Sequence, residues 1–143
     1  MKSYTFQLDA ATVADLDDMR LFLEQAVLWL GGGEEIAGDM VLAVNEAATN
    51  ILLHGYQSQP GEVVIEVMRE SDEMVVRLLD RAPLFDPTTV PPPDISLPLE
   101  ERPLGGLGVH MMRQLCDELI YLIRSGGGNE LRFLKYGVLV SAD

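Results

Sequence analysis

Three short stretches carry residue types and spacings from which phosphate chemistry can be built. In Asn45-Glu46-Ala47-Ala48-Thr49-Asn50-Ile51-Leu52-Leu53-His54-Gly55-Tyr56, Glu46 and Asn50 are four residues apart and project from one helix face about a turn apart. An amide carbonyl is a hard oxygen ligand suited to Mg²⁺, which keeps several waters and takes one or two protein ligands besides phosphate oxygens. The carboxylate beside it can accept a proton from an attacking hydroxyl or water. The same pair also fits the solvated side of an amphipathic helix whose buried side is Val41, Val44, Ala48, Ile51 and Leu52. Leu42 and Leu53 share the polar sector, however, and two leucines there suggest a face that something else covers. His54, one turn beyond Asn50, either touches the same site or packs against Tyr56.

The second stretch is Asp80-Arg81-Ala82-Pro83-Leu84-Phe85-Asp86-Pro87, directly after a strand-like run. A carboxylate at a strand end can accept from the amino group of adenine; Asp80 fits a turn-former before proline equally well. The third is Gly105-Gly106-Leu107-Gly108-Val109, leading into a helix. Glycines let backbone approach a ligand, and the unpaired N–H groups of a helix start favour anions. No Lys-Ser/Thr follows, so this is not a Walker A loop, and no strand immediately precedes it, so it is not a dinucleotide fingerprint.

These residues need elements to hold them. Tyr4, Phe6 and Leu8 alternate with polar residues and predict a half-buried first strand. From Thr12 as N-cap, Leu16, Met19, Leu23, Ala26, Val27 and Leu30 recur at helical spacing until Gly31-Gly32-Gly33. A second helix begins near 34–39 and runs to His54, ended by Gly55. Two β-rich runs, 62–69 and 74–80, flank the polar turn 70–73 and read as a hairpin. Residues 86–103 hold six of the eight prolines and lack periodicity, which inside a compact domain marks a functional lid or a linker. Val109, Met112, Leu115, Cys116 and Leu119 mark a third helix, and strands at about 119–124 and 130–136 follow around Gly126-Gly127-Gly128. The order predicts one α+β domain over 1–143, a two-layer sandwich with helices on one face of a mixed, mainly antiparallel sheet.

Composition narrows the setting. The 143 residues suit one domain, and 48% hydrophobic against 23% charged is a globular balance. Ten Lys and Arg against 23 Asp and Glu give a net charge of −13, a field that repels nucleic acid and anionic lipid. Cys116 is the sole cysteine, which rules out an intrachain disulfide, suits a reducing cytoplasmic setting and reads as a small buried hydrophobe. Residues 1–6 lack the apolar core of a signal peptide, and no run approaches the ~18 apolar residues that span a bilayer.

Taken in order, the three stretches resemble the Bergerat ATP-binding fold shared by gyrase, the heat-shock chaperones of that class, histidine kinases and MutL. Within it they are most similar to the bacterial anti-sigma factor serine kinases: Val44–Asn50 through Tyr56 resembles that family's N box, Asp80–Pro87 its Asp-x-Gly-x-Pro-Phe-Asp-Pro segment, and Gly105–Glu118 its Gly-Leu-Gly helix. The resemblance runs from about Tyr4 to Tyr136. It implies ATP and Mg²⁺ as cofactors, with Asn50 the metal ligand and Glu46 the catalytic base toward a protein serine. Asp80 would take the adenine amino group with Ala82 beside it, and Gly105, Gly106, Leu107, Gly108 and Val109 would form the phosphate cradle under a lid of residues 86–104. It implies a sigma factor and an anti-anti-sigma protein as partners, and a homodimer as the form of the simplest members. The chain departs from the pattern at Ala82, where the family has glycine and a methyl would crowd the nucleotide, and at Leu84-Phe85. It departs again at Leu104, where some relatives carry an arginine and Arg102 is the nearest substitute. Ala82 and Leu104 motivate the alternative of a partner-binding module with weak or purely structural nucleotide binding.

Overall fold

The computed structural model describes residues 2–91, 96–98 and 106–138. Alternation at Tyr4, Phe6 and Leu8 becomes strand β1, Ser3–Ala11, whose aromatic side packs on the first helix through Tyr4–Trp29 and Phe6–Phe22 ring pairs at 5.2 and 5.4 Å. Thr12 caps as its type predicts: its side chain accepts from Ala14 N–H while the Asp15 carboxylate accepts from Thr12 N–H at 2.8 Å, a capping box. One 3₁₀ turn then leads into α1, Leu16–Trp29.

Helix α2, Gly33–Asn50, buries Met40, Ala43, Val44, Ala47 and Ala48. The chain does not continue as α-helix to His54; Ile51–Gly55 is a π-helical turn, closed by Tyr56 N–H donating to Ile51 C=O at 2.7 Å. By length and composition Gly33–Gly55 would suffice to cross a membrane, but its apolar side forms the floor of the domain's core. The hairpin is β2, Gly61–Glu70, with β3, Glu73–Asp80. Helix α3 is Gly106–Leu115, and β4, Glu118–Ile123, with β5, Asn129–Lys135, completes the sheet.

The sheet order is β1-β2-β3-β5-β4 and all four pairings are antiparallel. The helices cover one face, where Ile65, Leu78 and Phe133 meet Leu23, Met40 and Met112. This is the expected two-layer α+β sandwich. Register decides what the open face carries: Glu66, Arg77 and Arg132 lie opposite one another across three strands, and Glu130 sits two pairs along on the same face. Arg77 grips Glu130 with two bonds of 2.9 and 3.0 Å and Glu66 with one of 2.7 Å, which holds the Glu130 carboxyl below its usual range. Cys116 is buried just past α3, where desolvation pushes its thiol up to about 12 and leaves it inert.

Candidate nucleotide site

Where β3 ends, the chain must leave the sheet, and Asp80 is the last paired residue, opposite Val63 on one side and Asn129 on the other. Its carboxylate is 1% exposed. Oδ1 accepts from Ala82 N–H at 2.8 Å and from Asn129 Nδ2 at 2.9 Å, so Oδ2 is the oxygen left for the cavity that Asp80 lines. Burial pushes the Asp80 carboxyl above its usual range, against the opposing pull of those two donors and of Arg124.

Asn129 was not singled out from sequence, and it holds this corner together. Its Nδ2 also reaches Pro83 C=O at 3.1 Å, while its Oδ1 accepts from Phe85 N–H at 2.9 Å and Tyr121 O–H at 2.5 Å. One amide therefore fixes both the acidic side chain and the chain's exit from β3. A signal existed: Asn129 falls on the same strand face as Leu131 and Phe133, and a polar residue in that apolar series needs a buried partner. The preceding Gly128 permits the approach, with φ of +102° and with Asp80 C=O 2.0 Å from where a Cβ would stand.

The cavity beyond Asp80 has a volume of about 540 Å³. Asn50, Ile51, His54 and Gly55 form one wall, Ala82 through Pro87 the exit side, and Val109 with Met112 of α3 the far side. A π turn closes on the fifth residue, so it stacks Asn50 close above Gly55 and presents both to the cavity. His54 is exposed and borders the cavity; Tyr56 instead lays its ring on Gly61. The Tyr56 hydroxyl donates to Glu62 C=O at 2.6 Å and accepts from Arg81 N–H at 2.7 Å, bracing the base of the site. Ala82 is 4% exposed, and its methyl lies 3.0 Å from where a Cβ on Gly55 would stand, so the bare glycine gives that methyl its room.

Glu46, one turn before Asn50 on α2, sits beside the start of α3. A Cβ on Gly108 would stand 2.5 Å from Glu46 Oε2 and 4.0 Å from Asn50 Nδ2, so these three residues meet at one point. Neither the Glu46 nor the Asn50 side chain makes a hydrogen bond to another described residue. Gly106 begins α3; the side-chain surroundings of Gly106 and Leu107 are not described, and Gly105, Arg102 and Leu104 lie outside the described residues. Of the proline-rich stretch, Asp86 caps a 3₁₀ turn at Pro87–Thr89, where no helical turn was expected. Arg113 of α3 clamps that turn by donating to Val90 C=O at 2.8 Å and to Thr88 C=O. Residues 92–95 and 99–104 of the expected lid lie outside the described residues.

The donor set suits a hard cation that arrives with phosphates. Asn50 offers one amide oxygen with the Glu46 carboxylate close by, too few for an all-protein cage but within the usual protein share for Mg²⁺. Among the described residues no group of three or more His, Cys, Asp or Glu could hold a metal ion unaided.

The profile of a family described as the histidine kinase-like ATPase domain matches residues 10–135. The serine-protein kinase RsbW of Bacillus cereus (strain AH187) is 35% identical over 85 residues, covering 57% of this chain and 53% of that protein. The RsbW of Bacillus mycoides (strain KBAB4) is 34% identical over the same length and shares. The chain thus spans about half the length of the curated relatives it matches. Among solved structures, the RsbU and RsbW domains of Rv1364c from Mycobacterium tuberculosis superpose with a TM-score of 0.66 over 95% of this chain and 32% of that one, at 18% identity, a likeness of fold.

Proposed function

The chain belongs to the histidine kinase-like ATPase domain family, and from that premise we propose that it is an ATP- and Mg²⁺-dependent serine kinase acting on a regulatory partner. The partner is an anti-anti-sigma protein, and the same chain holds a sigma factor in the cytoplasm. The observation that carries this reading is the juxtaposition of polar groups at the cavity: the buried acceptor Asp80 and the Asn50 amide both line it, and next to Asn50 the Glu46 carboxylate meets Gly108 of α3.

Asp80 Oδ2 accepts from an exocyclic amino group and rejects a ring carbonyl at the same place, which selects adenine over guanine. Asn129 keeps Oδ1 occupied, so the carboxylate cannot rotate away. The base then lies among Ile51, Ala82, Val109 and Met112. Toward the other end, N–H groups of the first turn of α3 are free for phosphate oxygens, and the helix dipole favours their charge. Asn50 would hold Mg²⁺, which when bound neutralises charge on the transferring phosphoryl group. Glu46 takes the proton of the incoming serine hydroxyl. A body with net charge −13 repels nucleotides at long range, so binding rests on these local donors.

The test is phosphorylation of the cognate anti-anti-sigma protein with Mg-ATP. Glu46→Gln should leave nucleotide binding within about twofold and lower transfer by about 10²–10⁴-fold; unchanged transfer would remove Glu46 as base. The alternative, a partner-holding module in which nucleotide is purely structural, is favoured by the Ala82 methyl in the cavity wall. It predicts partner binding and no phosphoserine in the wild type.

A further inference from the structure

A second concavity lies on the outside of the helix layer, in the seam between α1 and α2. It encloses about 260 Å³ and is lined by Leu28, Ala37, Gly38 and Val41, with Glu24 and Glu34 on its rims. Around it the helices expose further leucine: Leu21 is 60% and Leu42 53% accessible. Apolar side chains this open, adjoining one groove, mark a contact surface rather than scattered surface leucines.

Gly38 sharpens this. It lies inside α2 with an ordinary helical backbone, and a Cβ there would meet nothing within 4 Å. Neither a left-handed turn nor an internal neighbour calls for glycine. Glycine in a helix interior costs roughly 1 kcal/mol relative to alanine. The missing side chain leaves depth in the groove for something from outside.

Charge identifies the occupant. Glu24 and Glu34 form no ion pair among the described residues. A second copy of the chain has little to offer them: eight of its ten lysines and arginines already donate to groups of their own chain, from Arg20 on Asn45 to Lys135 on Asp39. We propose that the α1–α2 seam is the docking groove for an amphipathic helix of a partner protein, with an apolar ridge flanked by lysine or arginine. Its apolar ridge enters over Gly38 and its cations meet Glu24 and Glu34. Leu42 lies one turn along α2 from Glu46, so a helix seated there also borders the phosphate end of the nucleotide cavity. The groove itself needs no nucleotide, and its failure would leave phosphoryl transfer untouched.

A library of four-turn helical peptides, leucine on one face and Lys, Glu, Gln or Ser varied at the flanks, is selected on the intact chain. Lysine should be enriched at the flanks. The selected peptides should bind at least roughly tenfold more weakly to Gly38→Leu, whose melting temperature stays the same or rises because the groove there is open. The surface double variant Glu24→Lys/Glu34→Lys should lose them equally and gain their Glu-flanked counterparts. The proposal is overturned if no peptide binds, if the winners show no basic preference, or if both variants bind within twofold of wild type. It is overturned as well if the wild type forms a dimer that Gly38→Leu dissociates, which would make a second copy the occupant.

Discussion

Gly108 brings the start of α3 against the Glu46 carboxylate, and the atom a methyl would strike is the mobile end of a side chain, not backbone. Gly108→Ala should therefore leave the melting temperature unchanged or slightly higher, since alanine favours helix by roughly 1 kcal/mol. It should still displace the proposed base, lowering phosphoryl transfer by about 10²-fold in the partner assay. Asp80 has the opposite profile. Its carboxyl titrates above the ordinary aspartate value in the fold because it is buried. As pH rises from about the unfolded value, ~3.9, through the raised folded one, the unfolded chain ionises first and the fold loses stability. Asp80→Asn keeps an oxygen for Ala82 and Asn129 and carries no charge. Thermal melts should show its advantage over wild type growing as pH rises from about 4 through the raised folded-state value. Calorimetry should show ATP affinity down roughly 10- to 100-fold, the value of a hydrogen bond to a charged group. The residues of this site were unequally legible. Glu46, Asn50 and Asp80 stand out locally as polar residues on a helix face and at a strand end, but their types and spacing fit a solvated face and a turn equally well, and their roles came only with the order of all three stretches. Asn129 reaches Asp80 through strand register from 49 positions away, and Tyr121 in turn donates to Asn129, neither of which any local pattern encodes.

Among the elements, α1, the hairpin and the last two strands follow the periodicity of their sequences to within a few residues. The π turn at Ile51–Gly55 does not, because leucines and a histidine at helical spacing look the same whether the turn closes on the fourth or the fifth residue. Its exit shows the constraint it imposes. Gln57 and Ser58 both take positive φ, +52° and +63°, and Ser58 N–H still reaches back to Leu52 C=O at 2.9 Å. Two consecutive non-glycine residues in left-handed conformation each cost about 1–2 kcal/mol. Ser58→Gly should relieve part of that and, after its own entropy loss, raise stability by about 0.5–1 kcal/mol in denaturant titration. If the gain is absent, the turn is held without strain by its contacts.

At the scale of the molecule, the sheet and the helix layer meet at the cavity through very small groups. The two-layer order was legible because binary patterning alone sets which face of each element is buried; the closeness of the layers at the site was not, because it is set between residues far apart in sequence, one contact among them being tight enough to test. That contact is the Ala82 methyl over Gly55. A methyl on both would place two carbons 3.0 Å apart, tighter than packing tolerates without movement. Gly55→Ala should destabilise this chain by about 1–3 kcal/mol and be nearly neutral beside Ala82→Gly, a non-additivity that a double-mutant cycle reads directly. Substitutions at the two positions are then coupled. A side chain at position 55 is accommodated most easily where position 82 carries none, so the two positions share one volume and trade it between them.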